Sequence, residues 1–258
     1  MGSSLDLRDV YLNADDGSKY LVPSLREPVG FYLLIDGVYE SKSINFIADN
    51  LPQNSIFLDI GANIGLFSIK IAKFLGQESQ VIAVEASPKI FTYLQHNIKN
   101  NYLPNIKALE LAITDIDNST INFYEPPVDH FGMGSIAPQF HNNPVLVNTK
   151  TIDTLIKELQ IDTVNIIKVD VEGYEYMVFK GGQRLFNSAH PPLILFEFCD
   201  WAESRVPGVN VGDSQRILLE YGYKIWRLED FLSRKQPLNS IITKGFDMLV
   251  AVKNGQKT

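Results

Sequence analysis

A seven-stranded, mostly parallel α/β sheet covered by helices on both faces is the fold this sequence predicts. Three observations predict it. From Ser55 onward, apolar runs of strand length alternate with amphipathic runs of helical spacing. The strand-like runs are continuously apolar, as strands buried on both faces are. Several of them end in an acid where the chain leaves the strand.

The first strand is residues 56–60, and a helix over 66–75 follows, with Phe67, Ile71 and Phe74 or Leu75 on one face. Between them the chain reads DIGANIG, residues 59–65. Gly61 and Gly65 let a ligand approach the backbone where side chains would collide, and the helix beyond offers unpaired N–H groups. Residues 80–86 form the second strand. Ser87 and Pro88 then supply an N-cap and a first-turn proline to a helix with Phe91, Leu94 and Ile98 on one face. The third strand is 106–114. The crossover after it departs from simple alternation: 120–124 and 145–150 look like short strands flanking a Gly-, Pro-, His- and Asn-rich stretch at 130–143, an inserted hairpin. Strands at 164–171 and 192–198 follow, then a helix at 212–221 and two last strands at 223–228 and 246–252.

No Pro/Gly/Ser-rich linker divides the 258 residues, so one domain is expected, with 51–258 as its main body. Residues 1–50 are less periodic and rich in Tyr, Asp and Gly; they are expected to form a lid or flanking layer. Residues 253–258 are expected to fray. The apolar fraction of 45% and charged fraction of 21% are those of a folded globular chain. A net charge of −7 repels polyanions, which argues against nucleic acid. With no apolar run of about 18 residues and no charged-then-apolar leader, no membrane partner and a cytoplasmic location are expected. The lone Cys199 and four scattered histidines give no disulfide and no zinc motif.

In such a sheet the ligand lies beyond the carboxyl ends of the strands. Asp59, Glu85, Asp170 and Glu197 end four of them. Four acids suit a ligand that carries positive charge and hydroxyls better than one that carries phosphate. Glu85, at the end of the second strand, stands where an acid accepts from ribose hydroxyls, which fits an adenosine cofactor. A dinucleotide would bring its pyrophosphate to Asp59, and Gly61, Asn63 and Gly65 are not spaced as GxGxxG. S-adenosylmethionine has no phosphate and carries a sulfonium and an ammonium, so it satisfies both acids.

DIGANIG, then VEASP at 84–88, then IIKVDVEGYE at 166–175, in this order and spacing, resemble the FkbM family of S-adenosylmethionine-dependent methyltransferases. The likeness spans 37–198 and is strongest in KVDVEGYE; GVYE at 37–40 and GMGSIAP at 132–138 are less distinctive. It implies a Rossmann-like class I methyltransferase sheet with its last strand antiparallel. It also implies methyl transfer to a hydroxyl of a small molecule, sugar, polyketide or peptide natural product, free or tethered to a carrier protein. Carried over by position, Asp59, Gly61, Ala62, Asn63 and Gly65 would cradle the methionine part and Glu85 the ribose. Ala86 and Ser87 would lie on the adenine side, Ala112 and Ile113 would flank the ring, and Asp170 would sit by the methionyl end or the acceptor.

A hydroxyl must lose its proton during transfer, and Asp170, Glu172 and His130 are the candidate bases, with His141 behind them. Each has a blander reading. Glu85 could cap the next helix, Asp170 the next turn; Glu172 and Glu175 could be first-turn helix charges, and the histidines solvated loop residues. Asp129 could orient His130. Tyr11, Tyr32, Tyr39 and Tyr174 could line an acceptor pocket or simply pack. Oxygen ligands would allow a divalent metal, but no compact ligand motif calls for one. DVEG stands where a base-modifying methyltransferase would carry an NPPY-like motif. Two other functions stay open: an NAD-type oxidoreductase, and a methyltransferase fold that binds without turnover.

Overall fold

The computed structural model describes residues 7–253; the fraying expected beyond Lys253 lies outside the described residues. An antiparallel hairpin of β1 (Arg8–Asn13) and β2 (Lys19–Ser24) leads into two helices, α1 (Pro28–Asp36) and α2 (Ser41–Asn50). Then come β3 (Ile56–Ile60), α3 (Leu66–Leu75), β4 (Gln80–Glu85), α4 (Pro88–Asn100) and β5 (Ile106–Glu110). Three short strands, β6 (Ala112–Ile113), β7 (Ser119–Phe123) and β8 (Val145–Lys150), precede β9 (Ile166–Val169), β10 (Leu193–Cys199), β11 (Tyr223–Arg227) and β12 (Phe246–Lys253).

Seven strands form the main sheet in the order β11-β12-β10-β9-β3-β4-β5. The pairs β5-β4, β4-β3, β3-β9 and β9-β10 are parallel, and β12 runs antiparallel to both neighbours. Strand order therefore reverses between β3 and β9, the place where a ligand crevice is expected. Alternate side chains of each central strand serve two cores. Phe57 packs with α2, α3 and α4 residues such as Phe46, Ile71 and Leu94, whereas Leu58 and Ile60 pack on the opposite face with Ile152, Phe179 and Leu218.

The α3 and β8 boundaries coincide with those read from sequence, and β12 extends through Lys253, whose ammonium donates to the Phe186 carbonyl. The third strand differs. The predicted strand at 106–114 breaks at Leu111, because the Leu111 N–H bonds back to the Glu85 carbonyl while the Thr114 N–H turns to Lys150. The inserted hairpin of β7 and β8 thereby recruits β6 into a second sheet, β6-β8-β7. The N-terminal elements lie over α3 and α4: Tyr20, Val22, Leu33 and Ile47 share one apolar cluster with Phe57. Asn97, fully buried on α4, fixes the hairpin by accepting from Leu21 N–H at 2.7 Å and donating to the Ile64 carbonyl at 2.9 Å. Among the described residues no helix is long and apolar enough to cross a membrane.

Candidate active site

The turn after β3 is shaped by its neighbours. Gly61 has φ of 79°, and a Cβ there would stand 1.8 Å from the Asp170 carbonyl oxygen. Only glycine fits. Gly65 has φ of 92° at the start of α3, and a Cβ would press on Leu94 Cδ1 at 2.8 Å. Gly65 does not line the cavity that opens here. The expected reason for both glycines, close approach of a ligand, gives way to close approach of protein: the end of β9 for Gly61 and α4 for Gly65.

That cavity, of about 430 Å³, lies at the carboxyl edge of the sheet, within the size range of small-molecule sites. Gly61, Ala62 and Asn63 form one wall. The Gly61 and Ala62 N–H groups are taken by the Val84 carbonyl at 2.9 Å each, and the Asn63 N–H by Glu85 Oε2 at 2.8 Å. Glu85 is buried, and its Oε1 accepts from the Ser87 N–H at 2.8 Å. Burial raises its carboxyl to about 7, against the two N–H bonds that favour the charge, with Glu125 adding to the rise. Each Glu85 oxygen keeps a further lone pair for a ligand hydroxyl. Ser87 caps α4 through Ile90 N–H and donates to Glu125, so it is both helix cap and wall. Beyond Glu85 the cavity becomes apolar, with Ala86, Leu111, Ala112, Ile113, Phe123 and Ile136 around it. Phe123 of β7 and Ile136 of the loop after it come from the insertion.

Asp59 is displaced from its expected role. It is fully buried beneath the turn, does not line the cavity, and accepts from the Ser68 hydroxyl at 2.5 Å. Its charge partner is Lys168, which sequence reasoning passed over. Cα register places Lys168 of β9 opposite Asp59 of β3. The buried ammonium stands 3.8 Å from Asp59 Oδ1, 3.1 Å from Asp170 Oδ2 and 3.3 Å from the Gly61 carbonyl, and lies over the Phe67 ring. Burial works against its charge, but Asp170, Asp59 and Glu40 outweigh that and hold the ammonium above its usual range. Burial conversely raises Asp59, with Lys168 and Ser68 opposing.

The other end of the cavity is acidic. Asp170, with a quarter of its side chain exposed, Glu172 and Glu197 converge there, joined by Glu40 and by Glu27, the N-cap of α1. Burial first, then neighbouring acids, raises Glu172 to about 8 and lifts Glu197 well above the carboxylate range; Glu40 is raised by burial and by Asp170. Burial takes Glu27 to about 7 despite its bond from Val29 N–H. Among the described residues, Asp170, Glu172 and Glu197 are the acids whose ligand atoms lie within 4.8 Å of one another, close enough to share one cation.

His130 sits exposed at the cavity rim, stacked on Phe140. Asp129 does not orient it; its carboxylate accepts from the Ser24 hydroxyl at 2.7 Å and pairs with Arg26. His141 lies outside the cavity, 2.7 Å from the Glu125 carbonyl. Tyr39 and Tyr174 line the cavity, whereas Tyr11 bonds His96 and Tyr32 packs on Phe31 and Tyr39.

Comparison with known proteins matches this arrangement to a family. Residues 59–225 match the methyltransferase FkbM domain. Methyltransferase sdnD of Sordaria araneosa is 29% identical over 161 residues, covering 51% of this chain and 62% of its own length. Methyltransferase 1 of Beauveria bassiana is 26% identical over 210 residues, covering 72% and 80%. The hexuronic acid methyltransferase AglP of Haloferax volcanii is 24% identical over 151 residues, covering 58% and 59%. This chain thus spans less than two thirds of the first and third relatives. With the glycine turn, Glu85 and the KVDVEGYE strand all inside the matched segment, the chain belongs to the FkbM methyltransferase family.

Proposed function

We propose that the chain is an S-adenosylmethionine-dependent O-methyltransferase acting on a hydroxyl of a small molecule, sugar or natural-product intermediate, free or carrier-bound. One observation carries this: a single cavity is apolar at one end, holds a buried carboxylate with spare lone pairs at its middle, and is acidic at the other. Those three regions match an adenine, a ribose and a cationic methionyl group in order. A sugar acceptor is supported by AglP, whose name gives it a hexuronic acid. The acids at 40, 170, 172 and 197 favour a cationic group over a dinucleotide's diphosphate, since Lys168 beside them is already taken by Asp59 and Asp170.

When bound, S-adenosylmethionine supplies a methyl group on a positively charged sulfur. The chain's own residues hold and screen it. Ala112 and Ile113 flank the apolar end, Glu85 accepts hydroxyls, and Gly61, Ala62 and Asn63 shape the wall leading to Asp170. Lys168 holds Asp170 in place at 3.1 Å. Holding acceptor oxygen and methyl carbon in line supplies roughly 7 to 11 kcal/mol of barrier reduction, and a placed base about 10²- to 10⁴-fold more. Glu27, Tyr39 and Glu40 reach the cavity from the N-terminal elements, which supports reading residues 1–50 as a flanking layer of one domain with 51–258. A methyl-transfer assay over a panel of free and carrier-bound hydroxyl acceptors, with Asp170→Asn alongside, tests the function. Transfer by wild type and at least tenfold loss in the variant are expected; binding of NAD without binding of S-adenosylhomocysteine would overturn it.

A further inference from the structure

We propose that Glu197 takes the proton from the acceptor hydroxyl, a role that rests on the methyl-transfer reading above. Phe196 of β10 pairs with Val169 of β9, so Glu197 follows at the level of Asp170, just past the end of β9. The three acids that meet there are held differently. Asp170 is committed to Lys168 at 3.1 Å. Glu172 stands on a left-handed turn, φ 54°, and feels the positive field of Arg205. Glu197 is placed by a central strand whose Phe196 and Phe198 are wholly buried, and among the described residues no hydrogen bond or ion pair engages its carboxylate.

The groups around Glu197 are Asp170 and Glu172 past the end of β9, Glu175 from the next helix, Cys199 on its own strand, and Tyr39 from the N-terminal layer; β12 places Met248 opposite. Acids crowding a carboxylate strengthen its hold on a proton, which suits a base that must act on a hydroxyl. A cation entering the cavity offsets that crowding and ionises the group before transfer. In the transfer itself the oxygen–carbon bond forms as the carbon–sulfur bond breaks, the hydroxyl proton passes to a Glu197 Oε, and the neutral carboxylic acid later releases it to water. Charge balances, since a sulfonium and a carboxylate are both neutralised. A carboxylate mounted on a strand rather than a loop keeps the short reach this step needs.

The test combines carboxyl-¹³C glutamate NMR with kinetics on wild type, Glu197→Gln and Glu197→Asp. A glutamate signal that titrates above the ordinary carboxylate range in wild type, shifts to lower pH with S-adenosylmethionine in the absence of acceptor and disappears in Glu197→Gln is expected. Glu197→Gln should lose at least about 100-fold in kcat on any hydroxyl acceptor turned over and be partly rescued by aspartate. Retention of the signal in Glu197→Gln, or activity within tenfold, overturns the proposal. So does calorimetric binding of Mg²⁺ or Mn²⁺ that Glu197→Gln abolishes, which would make the cluster a metal site. Turnover of no hydroxyl acceptor by a wild type that binds S-adenosylhomocysteine also overturns the proposal. Failure of wild type to bind S-adenosylhomocysteine would instead overturn the methyl-transfer reading, while the titration still reports the Glu197 proton.

Discussion

Replacing Lys168 with methionine leaves two acids without their countercharge at the centre of the sheet. Asp59 is wholly buried and Asp170 a quarter exposed, with Lys168 3.8 and 3.1 Å from them. Breaking a buried pair by removing one partner costs about 3 to 5 kcal/mol, because the remaining charge has neither water nor partner. Asp170 recovers part of this from water in the cavity, so Asp59 carries most of the loss. For a chain of this size each kcal/mol lowers Tm by roughly 2 to 4 °C, giving a fall of roughly 6 to 20 °C. The sign with pH follows from Asp59. Its folded proton affinity is raised, and losing Lys168 raises it further, so the deficit should shrink on acidification as Asp59 takes up a proton. Lys168 itself, raised in the fold, contributes its full stability below its unfolded value of about 10.4, so no loss is expected between pH 6 and 9 from its own titration. Thermal melts of Lys168→Met and of Lys168→Met/Asp59→Asn between pH 5 and 8 measure this. The double variant should recover much of the loss. A single variant within 2 °C of wild type at pH 8, or a double variant no better than the single, would refute the reasoning.

Gly65→Ala should lower stability by about 1 to 2 kcal/mol for a left-handed residue yet leave S-adenosylhomocysteine affinity within threefold, since Gly65 is outside the cavity; melts and calorimetry check both. Gly61→Ala, with no room beside the Asp170 carbonyl, should lose binding and drop Tm by more than the Gly65 variant does. In the ligand-free protein Glu27 and Glu85 are raised to about 7, and Glu172 and Glu175 to about 8. Acids raised in the fold lose their contribution as pH rises from their unfolded value of about 4.3 through those folded values, so Tm should fall from about pH 5 to pH 8 and level off above. His130→Ala should keep kcat within threefold of wild type across pH, since Glu197 rather than this exposed rim residue is proposed to take the proton; a hundredfold loss would restore its candidacy.

The alternation of apolar strand and amphipathic helix was visible in sequence because strands buried on both faces leave continuous apolar runs, as in β3, β9 and β10. Ala112 and Ile113 could be placed beside the cavity from position alone, but not their transfer to a second sheet, because that depends on backbone bonds from Leu111 and Thr114 to distant partners. Lys168 was overlooked for a similar reason. A lysine inside an apolar strand is intelligible only once register sets Asp59 opposite it. That pairing in turn corrects the charge argument built on Asp59, and passes its weight to Glu40, Glu172 and Glu197. Tyr39 is among the pocket candidates read from sequence, whereas Glu27 and Glu40 are not, because they stand at the N-caps of α1 and α2 in the less periodic first 50 residues, although Pro28 after Glu27 and Gly37 with φ of 69° after α1 mark the first helix's ends.

Binding of S-adenosylhomocysteine to wild type and to Glu85→Ala, followed by isothermal titration calorimetry in two buffers of different ionisation enthalpy, tests the central claim most directly. A cavity built for an adenosyl ligand predicts one saturable site per chain, at least tenfold weaker in Glu85→Ala, with proton release near pH 7 as ribose hydroxyls engage a carboxyl raised to about 7. No heat with S-adenosylhomocysteine, or equal affinity in the Glu85 variant, would contradict it.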